Sequence, residues 1–262
     1  MPEDMKQLSE PLLSIENIGQ AYKTRRGVID AIKDLSFDIQ NSEFVCVVGP
    51  SGCGKSTLIY TISGINSPTS GRIRLKGKEV KGTSQEIGMV FQKYSAFPWM
   101  TVEKNVSYGP RMNKMSRSEV KEVTNRYIEM VGLKGYEHLY PKELSGGMSK
   151  RVDIARAYAN SPSILLMDEP FAALDDLTKK QMQIELLKIW ASEKKTVVFV
   201  THDLEEALFL ADRILIMKRS DNGSSSKHSI VEVPFPRPRS AELRITPEFA
   251  NMKKYLMGEI GK

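Results

Sequence analysis

The sequence predicts an α/β fold, a core sheet of buried parallel strands flanked by helices, with a largely helical block inserted into it. Three observations carry that prediction. Short continuous apolar runs recur along the chain: Phe44-Val45-Cys46-Val47-Val48, Ile164-Leu165-Leu166-Met167 and Val197-Val198-Phe199-Val200. Strands covered on both faces read as unbroken apolar runs, whereas half-exposed strands alternate. The first run leads into Gly49-Pro50-Ser51-Gly52-Cys53-Gly54-Lys55-Ser56-Thr57, and residues 55–63 then contain neither Gly nor Pro, giving the order strand, glycine loop, helix. After Gln92 the texture changes, and residues 93–160 carry helix caps and helical spacing where the flanking parts carry strands.

The elements follow in order. Residues 1–10 are polar and expected to be loose. Residues 12–18 read as an opening strand, followed by Tyr22 in a basic loop over 23–27. A second strand spans 31–40, with Ile32, Leu35, Phe37 and Ile39 apolar. The helix after the glycine loop is expected to stop at Gly64. Ser67-Pro68-Thr69-Ser70-Gly71 is a turn into a short strand at 72–75, and 87–91 is a further buried strand ending at Gln92. In the helical block, Ser116-Arg117-Ser118-Glu119 is a capping box. Val120, Val123, Tyr127 and Val131 then recur at helical spacing until Gly132. A second helix runs over 146–160, stopped by Pro162. The core resumes with a strand at 164–168, a helix at 177–193 capped by Asp176, a strand at 196–201, a short helix at 203–211 and a last core strand at 213–217. Residues 221–226 are a flexible turn, Pro234, Pro236 and Pro238 mark an extended connector, and 247–258 form a terminal helix. The organisation expected is one domain over 1–262. Segments 11–92 and 161–219 make the core with its β part, 93–160 is the helical insertion and 220–262 a short extension.

Composition narrows the function. The net charge of +6 comes from 38 basic and 32 acidic residues, and the bases are dispersed, which fits a solvated surface better than a nucleic-acid site. No apolar run approaches the roughly 20 residues needed to span a bilayer. Met1-Pro2-Glu3-Asp4-Met5-Lys6 has no apolar core behind it, so no signal peptide is expected. Cys46 and Cys53 read as free thiols of a reducing compartment. A cytoplasmic protein is the expectation.

The chemistry sits at three places. Gly49, Gly52 and Gly54 let the loop turn tightly and aim several N–H groups inward, where the positive end of the following helix also attracts phosphate. Lys55 can reach the β- and γ-phosphates of a nucleotide, and the Ser56 hydroxyl can ligate Mg²⁺. Asp168-Glu169 ends an apolar strand, so the first carboxylate can hold Mg²⁺ through water and the second can polarise an attacking water. Leu144-Ser145-Gly146-Gly147-Met148 opens a helix with a hydroxyl, exposed N–H groups and no bulk, which makes a second anion site. One nucleotide does not need two clamps in one chain. Two clamps make sense if each nucleotide is sandwiched between two copies.

In this order, over nearly the whole length, the motifs make the chain resemble the ATP-binding subunit of ABC transporters. The resemblance implies a P-loop NTPase core with an N-terminal antiparallel β subdomain and an inserted α-helical subdomain. It makes residues 49–57 Walker A, Gln92 the Q-loop glutamine, 144–148 the signature motif, 164–169 Walker B with its catalytic glutamate, Ala173-Leu174-Asp175 the D-loop and His202 the switch histidine. It implies ATP and Mg²⁺ as ligands. Lys55 and the loop from Gly49 through Ser51, Gly52, Cys53, Gly54, Ser56 and Thr57 would bind phosphates, and Tyr22 would stack on adenine. Ser56, Gln92 and Asp168 would organise Mg²⁺, Glu169 would be the general base, and His202 would hold the γ-phosphate and the water. Ser145, Gly146 and Gly147 would act on ATP bound to the opposite subunit. The stretch from Phe97-Pro98-Trp99-Met100-Thr101-Val102 to Asn105-Val106 looks like importers for nitrate, sulfonates, taurine and related small molecules, as does Val233-Pro234-Phe235-Pro236-Arg237. The partners implied are an integral-membrane permease, a second copy of the chain and, indirectly, a solute-binding protein, with no nucleic acid. The place implied is the cytoplasmic face of the membrane, as a peripheral subunit. Ser149-Lys150-Arg151 departs from the more Gln- or Arg-rich run usual in that group. Two other classes stay open at this level: an ABC ATPase acting on nucleic acid or ribosomes, and a P-loop kinase, which would not need residues 144–148.

Overall fold

The continuous apolar runs are continuous because the sheet they form has a core on each face. In the computed structural model, which describes residues 10–24, 27–218 and 227–260, β1 (Leu13–Thr24) and β2 (Gly27–Ile39) form a long antiparallel pair. β3 (Phe44–Val48) passes through the glycine loop into α1 (Lys55–Ile62). β4 (Ser70–Leu75) returns antiparallel to β1, and β5 (Lys78–Glu79) pairs on β4, completing a sheet of order β2-β1-β4-β5. β6 (Ile87–Val90) then enters the second sheet.

α2 (Val102–Met112), α3 (Arg117–Met130) and α4 (Gly146–Ala159) occupy the inserted block. β7 (Ile164–Asp168), α5 (Asp176–Glu193), β8 (Thr196–Val200), α6 (Leu204–Leu210) and β9 (Arg213–Lys218) complete the parallel core. β10 (Lys227–Glu232) and α7 (Pro247–Ile260) close the described chain. The second sheet has the order β10-β9-β3-β8-β7-β6, parallel from β9 to β6, with β10 antiparallel at its edge. In β3, Phe44, Cys46 and Val48 face the helical core while Val45 and Val47 face the core shared with the antiparallel sheet. β7 and β8 divide in the same way, Met167 and Phe199 against Leu166 and Val200. Both cysteines are buried free thiols.

Two expectations are corrected, and one helix, α2, is added. Tyr22 belongs to β1 and not to a loop, because the antiparallel pairing carries on through Tyr22 opposite Ile29. The cap of α5 is Asp175 and not Asp176: Asp175 has the extended backbone of a cap, and its carboxylate accepts the Thr178 N–H at 3.0 Å. α2 escaped the periodicity because Gly109 and Pro110 lie inside it. Tertiary packing retains the helix there, since a Cβ on Gly109 would come within 2.8 Å of Asn160 Oδ1 at the end of α4. The capping box at Ser116 is present in both directions, with the Ser116 N–H donated to Glu119 at 2.8 Å and the Glu119 N–H to Ser116 at 3.3 Å. The expectations for residues 1–9, 25–26 and 221–226 fall outside the described residues.

Candidate functional site

Backbone crowding decides the shape of the glycine loop. A Cβ at Gly49 would collide with the Met217 carbonyl oxygen, and one at Gly54, where φ is +98°, with the Ala31 carbonyl oxygen. The loop thus packs between β9 and β2 with room for no side chain at either point. Lys55 opens α1, and its buried ammonium donates to the carbonyls of Gly49 at 2.8 Å and Pro50 at 3.0 Å. A cleft of about 260 Å³ lies over the loop, lined by Ser51, Gly52, Gly54, Lys55, Ser56 and Thr57, with Ala31 and Glu169 at its border. Cys53 points the other way and is buried.

The pairing of β7 with β8 sets Asp168 opposite Val200, so the residues following each strand emerge side by side. Ser56 Oγ donates to Asp168 Oδ1 at 3.2 Å. Burial pushes the Asp168 carboxyl above its ordinary value, while the Ser56 and Tyr60 hydroxyls pull it back. Glu169 follows with φ +41°, a left-handed conformation costing a non-glycine residue about 1–3 kcal/mol. That turn brings its carboxylate to the cleft, and its N–H donates to the Val200 carbonyl at 3.0 Å. His202 Nδ1 stands 3.2 Å from Glu169 Oε2.

The oxygen donors present suit Mg²⁺. Ser56 and Asp168 offer a hydroxyl and a carboxylate within hydrogen-bond distance of each other, beside the lysine that closes the loop. Among the described residues no group of three or more His, Cys, Asp or Glu is placed to hold a metal alone. A hard cation completed by phosphate oxygens and water needs no such group.

The other predicted residues lie apart from this cleft. Tyr22 is partly exposed, on the β1–β2 pair that brings Ala31 to the cleft, and its hydroxyl accepts from Asn66 Nδ2 at 3.2 Å. Gln92 is exposed after β6, and its main-chain carbonyl accepts from the Lys150 ammonium at 3.2 Å. Ser145 caps α4 by accepting the Met148 N–H at 3.3 Å. Gly146 is pressed by the Tyr94 hydroxyl, and a Cβ on Gly147 would meet Thr178 at 3.0 Å. Ser145, Gly146 and Gly147 do not line the cleft over the glycine loop. Trp99 is 69% exposed, with the Phe97 ring tilted against it at 5.5 Å and Tyr108 edge-on to Phe97 at 4.9 Å. Asn105 holds that turn by accepting the Phe97 N–H at 2.7 Å and donating to the carbonyls of Phe97, Met100 and Thr101.

Tyr60 and a charged group on α4 were missed by sequence reasoning. Tyr60 stands four residues after Ser56 on α1, a spacing that puts both on one helix face toward Asp168. Lys150, Asp153 and Arg156 stand three residues apart on α4, and together they grip the segment after β6. Lys150 donates to the carbonyls of Phe91 and Gln92, Asp153 accepts the Ser95 N–H and hydroxyl, and Arg156 donates to the Ser95 carbonyl at 2.7 Å.

The family model described as ABC transporter matches residues 32–172. A nitrate import ATP-binding protein of Synechococcus elongatus is 39% identical over 256 residues, covering 97% of this chain and 93% of its own. A bicarbonate transport ATP-binding protein of the same organism is 40% identical over 254 residues, covering 95% of this chain and 90% of its own. Among solved structures, a dimeric ATP-binding cassette in a post-hydrolysis state bound to ADP and Pi superposes with a TM-score of 0.72 at 32% identity, over 86% of this chain and 100% of that one.

Proposed function

The chain belongs to the ABC transporter family and is an ATP-binding, ATP-hydrolysing subunit of a transporter; from that premise we propose that it is the motor of an importer for a small oxyanion-bearing solute. Two copies would pair head to tail, each nucleotide lying between the glycine loop of one and Ser145, Gly146 and Gly147 of the other. The observation that carries this reading is the split of the two phosphate clamps. Lys55, Ser56 and Glu169 border one cleft, while the exposed start of α4 lies outside it. A donor set outside the cleft serves the nucleotide only when a second copy supplies it.

Within one site, Lys55 and the loop N–H groups hold the phosphates, and Tyr22 borders the base. Ser56, Asp168 and Gln92 would hold Mg²⁺, which when bound neutralises charge on the β- and γ-phosphate oxygens. Glu169 accepts the proton of the attacking water, and His202, within hydrogen-bond distance of that carboxylate, orients it. The exposed Trp99 and its neighbours suit a groove for a short helix of a separate permease. The block over 93–160 is then the part that receives it, at the cytoplasmic face of the membrane. Among the described residues no helix is long and apolar enough to cross a membrane. Nitrate and bicarbonate, the solutes named for two relatives, are both small oxyanions, and a solute-binding protein and permease would choose between such molecules.

Glu169→Gln tests the core of this reading. It should retain ATP binding, lower hydrolysis by a factor of about 100 or more, and accumulate an ATP-bound dimer on gel filtration. Hydrolysis near the unmodified rate would remove Glu169 from its role.

A further inference from the structure

A buried polar chain runs behind the His202 turn and is not used by the chemistry described so far. Glu206, on α6, is only 4% exposed. A carboxylate taken out of water is costly unless donors surround it. Burial favours its neutral form, while hydrogen bonds from Thr201 and Gln183 and the nearby charge of Lys179 oppose that shift. The Thr201 hydroxyl donates to Glu206 Oε2, and Gln183 Nε2, from α5, donates to Oε1 at 2.8 Å. Gln183 is itself buried, and its Oε1 accepts from Arg244 Nη2. Arg244 comes from a short 3-10 turn, Ala241–Ile245, in the C-terminal segment, and its guanidinium lies over the Phe209 ring at 3.7 Å.

The other end of the chain meets the site. The Thr201 hydroxyl that donates to Glu206 also accepts the Asp203 N–H at 3.0 Å. One hydroxyl therefore ties down the residues on both sides of His202. Asp203 is held in turn, its Oδ2 accepting from Lys179 at 2.7 Å and its Oδ1 from the Glu205 N–H at 2.9 Å. His202 is left projecting from a turn fixed at both ends, 60% exposed, with Nδ1 against Glu169.

We propose that the C-terminal segment is a positioning element for hydrolysis: Arg244, through Gln183 and Glu206, fixes the Thr201–Asp203 turn that aims His202 at Glu169. This rests on the reading of Glu169 and His202 as the hydrolytic pair. The residues sit on four separate parts of the chain and meet through hydrogen bonds of defined direction. Apolar groups of the same size would fill the space but would not set the orientation of a hydroxyl. Arg244, Gln183 and Glu206 do not line the nucleotide cleft, so their effect reaches the reaction through the turn.

The test uses the full-length chain. Arg244→Met keeps an aliphatic stem over Phe209 and removes the donor to Gln183. It should lower kcat for ATP hydrolysis about three- to tenfold, leave KM and nucleotide affinity within about twofold because the glycine loop is untouched, and shift the NMR resonance of the His202 ring, assigned with His202→Ala. Gln183→Met breaks the same link from α5 and should do the same, which keeps the test open if one variant folds poorly. Lys254→Met removes another C-terminal cation, exposed on α7 and outside this chain of bonds, and should change neither kcat nor the resonance. Unchanged kcat and an unmoved His202 resonance in both link variants would overturn the proposal, as would a Lys254→Met variant that reproduces both effects. Wild-type hydrolysis by His202→Ala would instead remove the underlying reading, while the resonance in Arg244→Met still decides the positioning claim.

Discussion

Truncating Asp153 should destabilise the protein more than truncating the lysine it faces, and the two losses should not add. The side chains of Asp153 and Lys150 are 0% and 1% exposed, and their charged atoms stand 3.5 Å apart. Asp153 is also 3.7 Å from Arg156 and accepts both the N–H and the hydroxyl of Ser95. Asp153→Ala leaves two cations facing carbonyls, the Ser95 hydroxyl and the rings of Tyr94 and Phe97 but no anion, a loss of about 3–5 kcal/mol for a broken buried pair. At about 2–4 °C per kcal/mol for a chain near this size, the unfolding midpoint should drop by roughly 6–20 °C. Lys150→Met leaves the carboxylate with Arg156 and Ser95 and takes the donor from the carbonyls of Phe91 and Gln92, at about 1–3 kcal/mol. In the double variant the stranded ammonium is gone, so the combined loss should fall short of the sum by about 1 kcal/mol or more. The direction agrees with the Lys150 ammonium, which burial makes easier to deprotonate and Asp153 holds charged. Urea unfolding of the three variants measures the cycle. An Asp153→Ala variant within 1 kcal/mol of the parent, or strict additivity, would refute the argument that this pair is a buried brace between α4 and the segment after β6.

Trp99→Ala should leave Mg-ATP binding by the free subunit intact and weaken co-purification with a co-expressed permease, since an aromatic anchor often dominates a contact; co-purification at the parent level would exclude Trp99 as that anchor. Asp168 should take up a proton at a higher pH than an ordinary aspartate, because burial disfavours its charged form. The Mg²⁺-dependent part of ATP affinity should therefore begin to fall, on acidification, above the usual aspartate range. Asp168→Asn should abolish that pH dependence, and an identical pH profile in this variant would exclude Asp168 as its source. Finally, a subunit carrying Lys55→Ala mixed with one carrying Ser145→Arg and Glu169→Gln should retain about one tightly held ATP per heterodimer, as expected for a triphosphate clamped by cationic and N–H donors. A confirmed heterodimer that occludes no more nucleotide than either variant alone would count against the head-to-tail arrangement.

Much of this protein is decided locally. β3 spans its apolar run and β7 runs one residue past its own, to Asp168, and Ser116 with Glu119 caps α3 because the three-residue spacing is all a capping box needs. The glycine loop is legible for the same reason: its glycines, Lys55 and Ser56 are contiguous. Tertiary structure decided the rest. Tyr22 extends β1 because β2 pairs alongside it, and α2 runs through Gly109 and Pro110 because α4 packs where a side chain would stand. Lys150 and Asp153 are ordinary helix-face charges until the segment after β6 covers them. The meeting of Glu169 with His202, 33 residues apart in sequence, follows from the parallel register that sets Asp168 beside Val200. Spacing along a chain fixes which groups share a turn or a face, but which groups lie opposite each other depends on how distant strands align, and only burial of the whole sheet sets that alignment.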